Sequence, residues 1–140
     1  MSETFARGLR SIERRDGAAL VRLPFAALAE PAFSQYFSLI LSPDGTAAIL
    51  LWEDALPRWL ATLPPDTMPQ VKHGLTYIRA SGVCMGGAEN KARHILAALA
   101  GAGIHPYLPS ICDLGLSFAV AEAQAERAIT LICAAVPLVW

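Results

Sequence analysis

The chain has 140 residues, 54% of them hydrophobic and 16% charged, with a formal net charge of −1. That length suits one compact domain or two very small units sharing a sheet, and it buries enough surface to fold without covalent or metal staples. With no Lys/Arg-rich run beyond Arg10, Arg14 and Arg15 there is no basic field for phosphates, and the longest apolar runs, such as Thr46 to Trp52, are far too short to span a bilayer.

Ala18 to Leu23 reads as a strand. Phe25, Leu28, Ala29 and Ala32 have helix-like spacing that Pro31 interrupts, which predicts a short or broken helix between Phe25 and Gln35. Tyr36 to Ser42 and Thr46 to Trp52 flank Pro43-Asp44-Gly45, the pattern of a hairpin with an Asp-Gly turn. Glu53 to Leu63 then reads as a helix with Leu56, Leu60 and Leu63 inward, provided that Pro57 falls in its first turn. Three prolines within Pro64 to Pro69 suppress helix and strand alike, so the boundary between a first unit (1–66) and a second (67–140) is placed there.

Leu75 to Ala80 is a predicted strand running into Ser81-Gly82-Val83-Cys84-Met85-Gly86-Gly87, where three glycines allow backbone shapes closed to other residues. From about Ala88 a helix follows, burying Ala92, Ile95, Leu96 and Leu99, with Lys91, Arg93 and His94 pointing elsewhere and Gly101 and Gly103 at its end. Ile104 to Leu108 is a second strand, which Pro106 and Pro109 confine to an edge or a bulge. Leu114, Leu116, Phe118 and Val120 alternate with small residues as in a half-buried third strand. Glu122 to Ala134 forms the last helix, striped by Ala125, Ala128, Ile129, Ile132 and Val136, and the apolar tail Pro137 to Trp140 could add an edge strand to the first unit's sheet.

Cys84, Cys112 and Cys133 show neither CxxC nor Cys/His spacing, which fits a reducing compartment and structural thiols. The polar N-terminus lacks the layout of a signal peptide, and a cytoplasmic location is expected. His73, His94 and His105 share no metal-like spacing, and no cofactor is implied. The low charge hints at self-association, and Trp52, Trp59 and Trp140 are candidates for core or interface.

Four pieces in register over residues 75–136 carry a resemblance: Ser81-Gly82-Val83-Cys84-Met85, Ala97-Ala98-Leu99-Ala100-Gly101-Ala102-Gly103-Ile104, Leu114-Gly115-Leu116-Ser117-Phe118-Ala119-Val120, and Ala125-Glu126-Arg127-Ala128. Together they resemble the second ACT domain of aspartokinases, an amino-acid-sensing regulatory module. The resemblance implies an α+β fold of ferredoxin-like βαββαβ ACT units, as two antiparallel sheets or a shared sheet with helices on one face. Residues 1–66 would be a shortened, divergent first unit and 67–140 the second. Nothing resembles the kinase domain, so the chain is expected not to be an enzyme; it would be a separate regulatory subunit, a standalone sensor or the detached tail of a larger enzyme.

In that family a free amino acid binds where two ACT units meet, wrapped by the turn after the first strand and the start of the next helix. Carried over, the ligand-binding candidates are Met85, Gly86, Gly87, Glu89, Asn90, His105, Cys112 and Asp113. Free N–H groups and the helix dipole near Gly86 to Glu89 would favour a carboxylate, and Asp113 could meet an amino group. The chain departs from the family at these places: Glu89-Asn90 replaces a Pro-Gly pair, Cys112-Asp113 replaces Ser-Glu, and His105 replaces Asn. Met85 has a competing reading as core packing, Asp113 as a turn residue, and the glycines as turn formers. The implied partners are a small amino-acid effector, a second copy of the chain and an aspartokinase-like catalytic chain. The alternative is an ACT-fold dimerisation or assembly module that has lost its effector. A third, enzymatic reading would need Cys84 or Cys112 beside a base such as His105.

Overall fold

The structure, a computed structural model, describes residues 9–28, 38–82, 91–112 and 114–136. Among these residues, six strands, β1 (Leu9–Pro24), β2 (Ser38–Leu41), β3 (Thr46–Trp52), β4 (Gln70–Gly82), β5 (Tyr107–Cys112) and β6 (Gly115–Ala121), accompany three α-helices, α1 (Leu56–Leu60), α2 (Lys91–Gly101) and α3 (Ala125–Ala135). The chain divides into two compact units: an inserted unit, Asp16–Leu75, and an outer unit made of Met1–Arg15 and Thr76–Trp140. The sequence reading places its one boundary at 66/67, in the proline-rich connector, whereas this division falls within the long strands β1 and β4.

In the inserted unit the strand order is β2-β3-β1-β4. Taken along the chain, the first strand lies between the third and the fourth, and the second is outermost, which is the ferredoxin-like arrangement. Antiparallel pairing of β1 with β3 sets Ala19 opposite Leu51, Val21 opposite Ile49 and Leu23 opposite Ala47. Alternate residues of a strand share a face, and these six are buried together with Leu56 and Trp59 of α1. Ala18, Leu20 and Leu50, on the opposite face, are also buried.

The hairpin between β2 and β3 closes as its turn residues require. Gly45 N–H donates to Ser42 O at 3.0 Å, and Ser42 N–H donates to Thr46 O at 2.8 Å. Gly45 sits at φ 85°, where a side chain would strain the backbone. The Asp44 carboxylate accepts the Thr46 N–H at 3.0 Å, and this bond holds its pKa below the usual carboxylate value. A lowered folded-state pKa contributes stability above the unfolded value near 3.8 and loses it as pH falls through the folded pKa. Asp44→Ala should therefore lower the urea midpoint at pH 6, with the gap to the unsubstituted protein closing towards pH 2. A constant gap would show that the charged bond contributes nothing.

The predicted helix over Glu53–Leu63 shrinks to the five residues Leu56–Leu60. Pro57 stands at the first helical positions, as expected, but Ala55 and Leu56 make turn bonds back to Trp52 and Glu53. Thr62 and Leu63 close three-residue turns before Pro64, so the helix has no room to lengthen. Its inward residues are Leu56 and Trp59, with Leu60 and Leu63 half-buried against the same cluster. Between Phe25 and Gln35, Phe25–Ala27 form a single 3-10 turn, and residues 29–37 lie outside the described part. β1 and β4 are longer than predicted because Leu9–Arg15 and Gln70–Gly74 are mostly polar and exposed, and show no alternation to read.

The outer unit contains the run β4-α2-β5-β6-α3, the predicted β-α-β-β-α succession, in the strand order β1-β4-β6-β5. This is again the ferredoxin-like order, with the N-terminal part of β1 in the place of the fourth strand. The sequence reading offers the tail Pro137–Trp140 as an edge strand; those residues lie outside the described part. Ile78 and Ala80 of β4 and Leu116, Phe118 and Val120 of β6 share one face with Ala92, Ile95 and Leu99 of α2 and Ala125, Ala128 and Ile132 of α3. Both helices therefore cover the same side of the sheet.

Helix α2 ends in a Schellman motif: Ile104 N–H donates to Leu99 O at 2.9 Å and Gly103 N–H to Ala100 O at 3.0 Å, with Gly103 at φ 76°. Ile104 is thus a buried cap residue, and β5 begins three residues later than predicted. As its prolines require, β5 is an edge strand with an irregularity between Tyr107 and Ser110. Leu108 there adopts φ 47°, which costs an L-residue roughly 1–2 kcal/mol. Leu108→Gly should leave stability unchanged or raise it by up to about 1 kcal/mol, while β-branched Leu108→Val should lower it by a similar amount. Thermal melts of the two variants decide this.

Candidate functional site

The candidate site lies at one end of the outer unit's sheet. β4 ends there at Gly82, whose N–H donates to Leu114 O at 3.0 Å just before β6 begins, and Cys112, the last residue of β5, stands opposite Gly115. Helix α2 starts at Lys91, so residues 83–90 run from this end of β4 into the helix N-terminus. Met85, Gly86, Gly87, Glu89 and Asn90 fall in that segment and, like Asp113, lie outside the described residues.

Of the eight candidates, the structure thus places two. Cys112 is exposed with a free thiol at the loop end. His105 is exposed beyond the opposite end of β5, after the C-terminus of α2, and meets Tyr107 edge-on with ring centroids 4.7 Å apart. The intervening strand separates His105 from Cys112 by roughly 15–20 Å. No thiol–imidazole pair forms from these two residues.

Lys91 overturns one expectation. The sequence reading points it away from the core with Arg93 and His94, yet it is buried at the first residue of α2, while Arg93 and His94 are exposed. Only 4% of the residue is exposed, so its ammonium is covered along with its stem, and no periodicity signal would have shown it. Arg79, which the sequence reading did not single out, and Ser81, the first residue of the resemblance motif, belong to the same end of β4, with side-chain atoms 3.8 and 4.0 Å from where a Gly115 Cβ would stand.

A separate open depression of about 560 Å³ in the outer unit is lined, among the described residues, by Arg14, Glu122, Ala123 and Glu126. No group of three or more metal-ligating side chains occurs among the described residues, and no described helix is long and apolar enough to cross a membrane.

Each unit has the ferredoxin-like strand order of ACT domains. No family model matches the sequence, and no curated protein does. Solved structures do. The regulatory subunit of aspartate kinase from Thermus flavus superposes with a TM-score of 0.76 at 15% identity, covering 91% of this chain and 98% of that one. The ligand-free regulatory subunit from Thermus thermophilus gives 0.78 at 14% identity with the same coverage. E. coli aspartokinase III in complex with lysine and aspartate gives 0.67 at 16% identity, covering 91% of this chain and 33% of that longer one. At these identities the likeness shows the fold, and the fold is that of the aspartate-kinase regulatory subunit.

Proposed function

We propose that this chain is a non-catalytic, cytoplasmic regulatory module of the aspartokinase type. It would bind a small amino acid where two ACT units meet and thereby control an aspartate-kinase catalytic chain. The observation that carries this reading is the end-to-end likeness to regulatory subunits, spanning 91% of this chain and 98% of the Thermus flavus subunit. The separation of His105 from Cys112 also supports a module without catalysis.

The ligand-binding group in this reading is Met85, Gly86, Gly87, Glu89 and Asn90, which fall in sequence between β4 and α2, together with Cys112, the last residue of β5, and Asp113, which follows it. His105 projects from the other end of β5 and would reach a ligand only across an interface with a second copy, which fits a homodimer. The effector acts by binding one arrangement of the units more tightly than another, since equal binding shifts nothing.

Calorimetry of the full chain against the common amino acids, with the dimer confirmed by light scattering, tests the proposal. Saturable heat with one or a few amino acids is the expected result, and silence across all of them removes the sensing role. Silence with a stable dimer would leave the second reading, an ACT-fold assembly module. The exposed Cys112, at a place where the family carries Ser, favours that reading.

A further inference from the structure

The chain passes between the two units twice, from Arg15 to Asp16 in β1 and from Leu75 to Thr76 in β4, and these strands are neighbours in the sheet. Beside each passage stands a glycine with left-handed backbone, Gly17 at φ 84° and Gly74 at φ 71°. A strand residue ordinarily holds φ at about −120° to −140°, so both strands break their regular course here. A Cβ on either glycine would meet nothing within 4 Å among the described residues, so glycine is needed for the backbone and not for room.

Glu53, the first residue after β3, is bonded to both bends. Its N–H donates to Gly17 O at 2.8 Å, while its Oε1 accepts the Gly74 N–H at 3.2 Å and lies 3.0 Å from His73 Nδ1. Because β1 lies between β3 and β4, this one residue ties three strands together beside the passages. The backbone bond continues the β1–β3 ladder beyond Ala18 and Trp52, whereas the bonds to β4 depend on the side chain alone. Those bonds are partly open to water, with 36% of the Glu53 side chain and 64% of the His73 side chain exposed. Water competes for them, so they can open while the apolar core around Leu51 and Trp59 stays packed.

We propose that the Glu53 carboxylate is a releasable clasp on a paired bend. Closed, it fixes the left-handed turn at Gly74 and, through the backbone bond of the same residue, the one at Gly17. Open, it frees β1 and β4 together over the few residues around the two passages, while the rest of the inserted unit remains folded. Glycine at both bends permits the excursion, because it adopts left-handed and right-handed backbone about equally well. The clasp stands whether or not an amino acid binds, and any change carried along the chain from one unit to the other crosses these bends.

Amide hydrogen exchange of the full chain, read residue by residue by NMR, tests the clasp. Glu53→Ala should speed exchange about tenfold or more at Gly17, Ala18, Gly74 and Leu75 together, with amides from Ala47 to Leu51 changed by less than about twofold. Trypsin under native conditions should also cut after Lys72 about fivefold faster in this variant. Glu53→Gln keeps the length and one acceptor oxygen, and should give the same pattern with a smaller increase. Circular dichroism checks the folding of each variant, and Glu53→Gln decides the matter should Glu53→Ala not fold. Gly74→Ala strains the left-handed bend while keeping the carboxylate, and should likewise speed exchange at Gly17 and Ala18. An increase at Gly74 alone reduces the contact to an isolated surface bond and overturns the proposal. So does an equal increase throughout β3, which is general destabilisation, or an unchanged rate at Gly17 in Gly74→Ala.

Discussion

Trp59→Ala should destabilise the inserted unit by about 3–5 kcal/mol, the cost typical of removing a fully buried large aromatic side chain. Trp59 is wholly inaccessible and packs with Leu56 against Ala19, Val21, Leu23, Ala47, Ile49 and Leu51. The five-residue helix α1 is far too short to be stable by its own hydrogen bonds, so burial of Leu56 and Trp59 is what holds it. Set against a usual domain stability of about 5–15 kcal/mol, the loss leaves this unit marginal or unfolded at 25 °C. Urea denaturation should show a much lower midpoint, and amide exchange should quicken across β1 and β3 between Ala18 and Trp52. An unchanged midpoint would mean that α1 does not anchor the unit.

In the outer unit the corresponding position is Phe118, at the centre of β6 and fully buried among Ile78, Ile95, Leu99 and Ile132. Phe118→Ala should likewise cost about 3–5 kcal/mol, whereas Phe118→Leu keeps most of the volume and should cost under about 1.5 kcal/mol. The difference separates a packing role from a general sensitivity of the strand. Because β5 pairs with β6 alone among the described strands, loss of Phe118 should also loosen the edge that carries Cys112, which thiol accessibility would register. Equal stability of the alanine and leucine variants would contradict the packing account.

Much of the outer unit was legible in the sequence, and particular residues show why. Leu116, Phe118 and Val120 alternate with smaller neighbours, and Ala125, Ala128, Ile132 and Val136 recur at helical spacing and are buried as expected, whereas Leu114, read as part of the same strand face, lies before β6 and is exposed, and Ile129 of the helix stripe is half-buried. Gly103 marks the end of α2 through a local hydrogen-bond pattern that needs no distant partner. Pro109 confines β5 to an irregular edge for an equally local reason, since it lacks an N–H to donate. In the inserted unit the Asp44-Gly45 turn was legible in the same way.

The errors also share a cause. Leu9–Arg15 and Gln70–Gly74 are strand because neighbouring strands supply hydrogen-bond partners, and their charged, exposed side chains carry no periodicity that reveals it. Glu53–Leu63 has helical spacing, yet turn bonds at one end and prolines at the other leave one short helix. Lys91 looks like a surface residue by type and is buried by position. At the candidate site, the likeness to a known family marked Cys112 and the motif that Ser81 opens, but Arg79 was not singled out, because its place near Gly115 comes only from strand register.

By itself, then, the sequence determined the features that arise within a few residues: the faces of β6, α2 and α3, the β2–β3 turn, the cap at Gly103 and the edge character of β5. Tertiary structure alone decided that the N-terminal part of β1 serves as the fourth strand of the outer unit, that β4 takes part in both units, and that His105 and Cys112 stand at opposite ends of one strand. The physical reason is that strand partnership is made by backbone N–H and C=O groups, which every residue except proline carries in full. Side-chain pattern shows which face of a strand is buried, and leaves open which strand lies beside it.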